Sequence, residues 1–460
     1  MTPQLALLLC LILIVILFRL DVKSSAARSQ ALWIPTIWML IIGSRMVSQW
    51  MDFNAGYVTE DNYSEGSALD RNIFLILIVA ALIAVVTRGV KLAEVANANR
   101  LLLLFWVYCG ISILWSDFQD VSFKRYIKDI GNTLMVLIVL SERDPTEAMI
   151  TLFKRCAYIL IPLSVVMFKY YPHFGRVYGR WDGKLSITGV TNNKNSLGVL
   201  CALCGIAIFW SLVSTWKNRE SLGTKGPLAV QVFILAVIVW VLVISNSATS
   251  LVCFSIGVAV IAFIELKVLR VGLLYASPII LVAIAGYLLL SDSVLGVFTG
   301  AVGRDESLTG RTDVWRAVLS LAQDPIIGCG YNSFFLGDRL TRLWSLYTWK
   351  ITEAHNGYLE IYLDLGIVGL VLLLGALCSA LGRTLLLVRN EPSVGALKLA
   401  MLVSVLMYNF TESAFRAGLL MYFAFALVAI HLPRAINPSA GGMKNHAFSR
   451  PKDSVLMPVS

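Results

Sequence analysis

Long apolar runs separated by short polar connections recur along almost the whole 460-residue chain. Many of these runs approach the roughly 20 residues that an α-helix needs to cross the hydrocarbon core of a bilayer. Short segments with strictly alternating polarity, which are typical of outer-membrane β-barrels, do not dominate anywhere. The pattern therefore predicts an all-α, polytopic bundle of about thirteen transmembrane helices, with twelve to fourteen possible. The predicted spans are residues 4–20, 31–49, 71–88, 101–116, 124–141, 150–170, 194–213, 227–246, 248–266, 270–290, 356–382, 395–411 and 416–433.

Composition supports the membrane class, because 58% of the residues are hydrophobic and only 14% are charged. A soluble domain carries about 25% charged residues. Seven of the eight cysteines fall in predicted spans, which argues against a disulfide framework. Cys201 and Cys204 have CxxC spacing, but no second pair or histidine accompanies them, so apolar packing is the expected role.

The distribution of basic residues predicts the orientation of the bundle. Lys and Arg recur in the connections that follow alternate spans, whereas connection 50–70 on the other side is acidic. By the positive-inside rule the C-terminus is cytoplasmic and the N-terminus lies outside. The first apolar run has its basic residues after it, so it is interpreted as a retained anchor. The net charge of +10 follows from this topology and from contact with membrane lipids, and it does not indicate nucleic acid.

Two predicted outer loops depart from this charge rule. Loop 171–194 carries Arg176, Arg180, Lys184 and Lys194, and loop 291–355 is the longest connection in the chain. Loops of that length are commonly functional, and its many aromatic residues argue against disorder. The predicted organisation is given as five segments: N-terminal helices 1–99, central helices 100–290, the large outer loop 291–355, C-terminal helices 356–434 and a disordered tail 435–460.

His355 lies where the long outer loop enters a strongly apolar helix. A histidine at such a boundary can hold or take a proton near neutral pH. It can also merely satisfy a helix N-terminus or contact a lipid headgroup. Glu360 and Asp364 follow it one helical turn apart, and carboxylates in a span are costly unless they pack or function, so we predict that they support His355. Gly366 and Gly369, with Gly375 beyond, predict the close approach of another helix.

A second candidate is Arg311, which lies at the start of a helix predicted from residue 309 to the Asp324-Pro325 stop. An arginine fork binds phosphate in a bidentate manner, and helix N-termini favour anions. The alternative roles for Arg311 are a headgroup anchor or a pair with Asp313. Glu412 is expected to pair with Arg416 as plain structure.

Several motifs together resemble the O-antigen ligase and polymerase superfamily of bacterial inner membranes. They are Gly310-Arg311-Thr312 with Trp315, Gly328 with Gly330 and Asn332, His355-Asn356 followed by Gly366 and Gly369, the Asn-rich segment 192–198, the polar hairpin 245–250 and the turn 409–413. The resemblance covers roughly residues 100–430. The chain looks most similar to the exopolysaccharide-production polymerases of soil bacteria.

The resemblance implies a metal-independent glycosyl transfer on the periplasmic face, without any cofactor. The donor would be a glycan on undecaprenyl pyrophosphate, and the acceptor a sugar hydroxyl on another lipid carrier or on lipid A core. His355 matches the histidine that activates the acceptor, and Arg311 matches an arginine that holds the pyrophosphate. Asn356 and Glu360 are further candidate substrate-binding residues. Other polysaccharide assembly proteins are possible partners.

The hairpin at Ser245-Asn246-Ser247 lacks the arginine that many ligases carry there. We therefore predict that Arg176, Arg180 or Lys194 supplies this phosphate contact, and that polymerisation is favoured over ligation. A transporter or flippase is the main alternative function, but no convincing repeat relates the two halves as many transporters require. The third alternative is a structural partner in a polysaccharide export complex. In that role His355 would be dispensable.

Overall fold

The computed structural model describes residues 1–21, 29–51, 66–178, 185–217, 225–265, 309–347 and 350–433. The predicted all-α class is confirmed. In this part of the chain the regular structure is helical apart from one short two-stranded hairpin. The N-terminal elements are α1 (Pro3–Asp21), α2 (Trp33–Ile42), α3 (Val47–Met51), α4 (Ala68–Thr87), α5 (Leu92–Ala98), α6 (Arg100–Ile111), α7 (Gln119–Leu140), α8 (Pro145–Tyr170), α9 (Pro172–Gly175), β1 (Arg176–Tyr178) and β2 (Leu185–Ile187). The later helices are α10 (Lys194–Lys217), α11 (Lys225–Ile244), α12 (Ala248–Glu265), α13 (Thr309–Ser320), α14 (Gly337–Leu346), α15 (Gly357–Asn390), α16 (Pro392–Thr411) and α17 (Leu420–Ala429). Short 3-10 turns span Gln30–Leu32 and Ser112–Trp115.

The structure confirms a multi-pass membrane protein. In the described residues eight helices, namely α1, α4, α8, α10, α11, α12, α15 and α16, are long and apolar enough to cross a bilayer. A ninth span results if α5 and the bent segment Arg100–Trp115 count as one. The predicted spans near 31–49 and 416–433 coincide with shorter apolar helices, and the one near 124–141 coincides with the more polar α7. The predicted span 270–290 lies outside the described residues, as does the tail 435–460.

Burial separates the helices into an inner and an outer set. Helices α8 and α10 are buried along most of their length, and α16 packs against α12 and α15 near the centre of the bundle. Helices α1 and α4 bury few of their residues, which is the expected property of helices that face lipid. The inner helices therefore provide a rigid support for the segments at their ends.

Helix α15 is broken at Gly366, which has φ 62° and ψ −166°. The loop at 325–330 makes the backbone hydrogen bonds that the helix loses there. The carbonyls of Pro325 and Ile326 accept from the N–H groups of Ile367 and Val368 at 2.9 and 3.2 Å, and the N–H of Gly330 donates to the Asp364 carbonyl at 2.8 Å. This pairing satisfies the backbone groups that a break leaves open.

The sequence predicts that another helix approaches the glycines of α15 closely. At Gly366 this close approach is made by the loop at 325–330. A Cβ atom at Gly366 would overlap the carbonyl of Ile326, in the outer loop, and one at Gly369 would meet the side chain of Leu365. The more distant Gly375 faces another helix, through Leu101 of α6. Helix α6 also packs against α15 beside the break, where the Tyr108 hydroxyl donates to the carbonyl of Leu365 at 3.2 Å.

The substitution Gly366→Ala is expected to destabilise the protein by at least about 3 kcal/mol, since it adds a steric overlap to a backbone conformation that is essentially restricted to glycine. The matched control is Gly382→Ala in the same helix, where a Cβ meets nothing within 4 Å. That control should be neutral or slightly stabilising because alanine has the higher helix propensity. Thermal unfolding of both variants in detergent measures the difference, and equal stability would contradict the role given to Gly366.

The described part of the long outer loop is folded around its own small apolar core. Val318, Phe334, Leu340 and Leu343 are buried there with Leu363 of α15. Trp315 Nε1 donates to the carbonyl of Ala354 at 2.9 Å, and Trp344 Nε1 donates to that of Ile351 at 3.0 Å. The loop therefore fixes the segment that leads directly to His355.

Candidate functional site

Four separate segments converge at one end of the bundle. His355 precedes α15, Arg311 lies in the first turn of α13, Asn195 lies in the first turn of α10, and Glu412 directly follows α16. Glu412 joins them, because its carboxylate contacts all three side chains. Only 6% of the Glu412 side chain is exposed, whereas 33% of the His355 side chain is exposed. The imidazole therefore lies between a buried carboxylate and the surface.

The His355 ring is held through Nδ1. This nitrogen lies 3.2 Å from Oε2 of Glu412 and 3.2 Å from Oε1 of Glu353. With two carboxylates on this side, the proton of the neutral ring is assigned to Nδ1, which leaves the lone pair on Nε2. The backbone of His355 has φ 51°, a left-handed conformation that costs a non-glycine residue roughly 1–3 kcal/mol. Such strain is concentrated at functional sites.

Each of the two carboxylates also binds an arginine. Nη2 of Arg311 donates to Oε1 of Glu412 at 3.0 Å, and Nη2 of Arg416 donates to Oε2 of Glu353 at 2.7 Å. The imidazole is thus flanked by two carboxylate–guanidinium pairs. We refer to His355, Glu353, Glu412, Arg311 and Arg416 as the histidine cluster.

Local sequence explains why His355 is held in this position. Asn356 caps α15, since its side-chain oxygen accepts from the N–H groups of Tyr358 and Leu359, each at 3.0 Å. The buried Glu360 carboxylate accepts from the N–H of Ala354 at 2.9 Å. The N–H of Gly357 donates to the Glu412 carbonyl at 3.2 Å. These bonds fix the backbone on both sides of His355 and tie it to the turn that bears Glu412.

The pKa of His355 is raised from its ordinary value. Burial of the ring acts in the opposite direction, as does the charge of Arg311. The hydrogen bond to Glu412 and the negative charges of Glu353 and Glu412 outweigh both effects. The ring is consequently a stronger base than a free histidine, and it loses its proton at a higher pH.

The structure brings some of the predicted binding residues to the cluster and leaves others away from it. Asn356 and Glu360 adjoin His355, but both side chains are engaged with the backbone. Lys194 lies next to Asn195 in the chain. Arg176 donates from Nε to the carbonyl of Phe168 at 2.6 Å, and in the described structure no hydrogen bond or ion pair joins it to the histidine cluster. Arg180 lies outside the described residues.

Two predicted pairings are replaced by others. Glu412 was expected to pair with Arg416, but it binds Arg311 and His355, while Arg416 binds Glu353. Asp364 was expected to support His355, but its carboxylate accepts from the N–H groups of Ser333 and Phe334 at 3.1 and 3.0 Å. Asp364 therefore anchors the outer loop, since its position one helical turn beyond Glu360 brings it to the loop at 330–334.

Glu353, Asn195 and the role of Glu412 were not found from the sequence. Asn195 donates to Oε1 of Glu412 at 2.8 Å, and Ser247 of the polar hairpin donates to Asn195 at 3.3 Å. The hairpin and the Asn-rich segment thus adjoin the cluster through Asn195. The available signal was the position of Asn195 and Glu412 at the ends of apolar spans, where an uncompensated polar residue is costly.

A metal ion is sterically conceivable at Glu353, His355 and Glu412, whose ligand atoms lie within 4.8 Å of one another. Two of these three ligands, however, already bind guanidinium groups. A divalent cation there would be repelled by Arg311 and Arg416 at short range. The donor set therefore fits an imidazole base between ion pairs better than it fits a metal centre.

The fold and the cluster define a multi-pass, all-α membrane protein with a charged site at one end of its bundle. Residues 231–374 match the family described as O-Antigen ligase, and this range contains Arg311 and His355. The chain is also 24% identical over 289 residues to the exopolysaccharide production protein ExoQ of Rhizobium meliloti (strain 1021), which covers 60% of this chain and 63% of that protein. The match thus spans less than two thirds of the relative's length. The resemblance to the O-antigen ligase and polymerase superfamily is confirmed.

Proposed function

We propose that the protein is a glycosyltransferase that polymerises glycan repeats carried on undecaprenyl pyrophosphate at the periplasmic face of the bacterial inner membrane. The observation that supports this proposal is the His355 ring held between two carboxylates that each bind an arginine. The geometry combines a base with fixed positive charge, and both are needed to transfer a sugar from a pyrophosphate. On this proposal loop 291–355 is periplasmic, the N-terminus is periplasmic and the C-terminus is cytoplasmic.

The transfer is a single displacement at the anomeric carbon. Nε2 of His355 takes the proton of the acceptor hydroxyl while the hydroxyl oxygen forms a bond to this carbon. The bond between the carbon and the pyrophosphate oxygen breaks, and its electron pair stays on that oxygen. Arg311 and Arg416 stabilise the negative charge that develops there. Glu412 and Glu353 stabilise the imidazolium that forms, and the anomeric configuration is inverted.

Polymerisation is favoured over ligation on two grounds. The exopolysaccharide production protein of Rhizobium meliloti aligns with 60% of this chain, whereas the match to the O-antigen ligase family spans residues 231–374. The hairpin Ser245-Asn246-Ser247 also lacks an arginine, which many ligases carry at this place. On this proposal the acceptor is the sugar end of a second lipid-linked repeat, and the leaving group is the lipid pyrophosphate.

The test is reconstitution of the purified protein in vesicles with isolated lipid-pyrophosphate-linked repeats. Chains of two or more repeats should form, with release of one lipid pyrophosphate for each new linkage. Product that appears only when lipid A core is added would contradict polymerisation and support ligation. Movement of unchanged repeats across the vesicle membrane, without new linkages, would contradict glycosyl transfer and support a flippase.

The substitution Glu353→Gln is expected to move the acidic limb of the pH profile of kcat/KM to lower pH. His355 acts in its neutral form, so activity is lost as the pH falls through its raised pKa. Removing the Glu353 charge, 3.2 Å from Nδ1, lowers that pKa and extends activity to more acidic pH. Asp313→Asn is the control, since Asp313 pairs with the exposed Arg316. An unchanged limb in Glu353→Gln would rule out His355 as the group that titrates.

Chelation of divalent metals is expected to leave the rate of transfer unchanged within about twofold, because arginines already bind both carboxylates of the cluster. The measurement is the initial rate of the reconstituted protein after dialysis against EDTA, with and without added Mg²⁺ or Zn²⁺. Loss of activity that either ion restores would place a metal in the reaction.

A further inference from the structure

A cavity lies at the opposite end of the bundle from the histidine cluster. It has a volume of about 580 Å³ and lies where the ends of α7, α15 and α17 meet the first turns of α8 and α16. Residues 357 and 383 are separated along α15 by up to about 40 Å at the rise of an α-helix. Helix α16 begins beside this cavity and ends at Glu412. The two sites are therefore separated by about the thickness of a membrane.

The cavity combines apolar walls with an excess of positive charge. Leu387, Val394 and Val428 contribute to the walls, whereas Arg383, Lys398 and His431 are basic. The acidic residue among the lining side chains is Glu391, which is exposed. Burial lowers the pKa of His431, and the charges of Arg383 and Lys398 lower it further, as expected where positive charge accumulates.

The basic groups differ in how far other residues satisfy them. The Arg383 guanidinium is fixed by bonds to the carbonyls of Ala98 at 3.1 Å and Ala429 at 2.7 Å, which leave its charge uncompensated. Lys398 is half-buried on α16, and no ion pair joins its ammonium to a carboxylate in the described part of the chain. The charge of Glu391 acts on this ammonium without forming an ion pair with it, and a half-buried ammonium of this kind favours the binding of an anion.

We propose that this cavity binds the phosphate headgroup of an anionic phospholipid, with Lys398 and Arg383 at the phosphate and an acyl chain along the apolar wall. Basic pockets between transmembrane helices near the membrane surface have this specificity. Apolar walls and a volume larger than a phosphate ion needs favour a lipid over a free anion. The chain's own segment 434–460 is a poor occupant, because it carries four Lys and Arg residues and one acidic side chain, Asp453.

The test is lipid binding to the purified full-length protein in mild detergent, measured by native mass spectrometry and thermal shift. The probes are phosphatidylglycerol, phosphatidylcholine of the same chain length, and inorganic phosphate. We expect phosphatidylglycerol to bind at least about tenfold more tightly than phosphatidylcholine, and inorganic phosphate to give no stabilisation at millimolar concentration.

Three variants identify the site. Lys398→Gln should weaken phosphatidylglycerol binding about tenfold, and Lys398→Arg should retain it because the charge is kept. The matched control is Arg389→Gln, which removes an exposed charge on the last turns of α15 that does not line the cavity. Equal phosphatidylglycerol binding by wild type and Lys398→Gln would overturn the proposal. Equal binding of phosphatidylcholine, or stabilisation by inorganic phosphate alone, would overturn the assignment to an anionic lipid.

Discussion

The purified variant His355→Gln is expected to transfer glycan repeats about 10²- to 10⁴-fold more slowly than the wild type, which is the range for loss of a general base. Glutamine keeps a polar side chain of similar length but cannot take the acceptor's proton. The ring is one-third exposed and is held through Nδ1, so Nε2 is the atom available to substrate. The binding of the lipid-linked donor should change little, because the arginines remain.

The matched control is His173→Gln, which alters an exposed histidine of the short helix α9 outside the cluster. This control should retain the wild-type rate. The measurement is the initial rate of linkage formation in vesicles that contain equal amounts of folded protein. A rate for His355→Gln within threefold of the wild type would contradict the assignment of His355 as the base.

The substitution Glu412→Ala is expected to lower the same rate by at least about 100-fold, although the side chain is almost completely buried and is assigned no contact with substrate. Glu412 holds the His355 ring, the Arg311 guanidinium and the Asn195 amide at once. Its removal releases the base and leaves Arg311 without its partner. Glu412 is therefore a positioning residue for both halves of the reaction.

A double-mutant cycle separates positioning from a general loss of structure. If Glu412 acts through His355 as well as through Arg311, the rate loss in the double variant His355→Gln with Glu412→Ala should be clearly smaller than the product of the two single losses. Additive effects of the two substitutions would contradict this role. The control is Glu94→Ala, which removes an exposed i,i+3 ion pair with Lys91 and should leave the rate unchanged.

The class of fold was predictable because the bilayer imposes a length and polarity on each span that can be recognised in the sequence. The helices α8, α10, α15 and α16 follow the predicted apolar runs closely. The break at Gly366 was not predicted, because a glycine in a helix specifies only that an unusual conformation is permitted. The conformation it adopts depends on the carbonyls of residues 325 and 326, some forty positions earlier in the chain.

The candidate site was predictable only in part, because single residues can be recognised from local sequence but their contacts cannot. His355 and Arg311 each lie where a polar loop enters a helix, and such positions are local in sequence. Their mutual arrangement is not local, because Glu412 is separated by 57 residues from His355, by 101 from Arg311 and by 217 from Asn195. No periodicity joins these positions. The sequence analysis expects Glu412 to pair with Arg416, but folding brings Glu353 to Arg416 instead.

The most direct measurement of the central claim is the glycan profile of a strain that lacks the gene and is complemented with the wild type or with His355→Ala at equal membrane levels. Complementation with the wild type should restore long polymer. We predict that His355→Ala leaves single repeat units accumulated on the lipid carrier. A wild-type polymer profile from His355→Ala would contradict the role of His355 in polymerisation, and full-length polymer that remains on its lipid carrier would contradict polymerisation and indicate ligation.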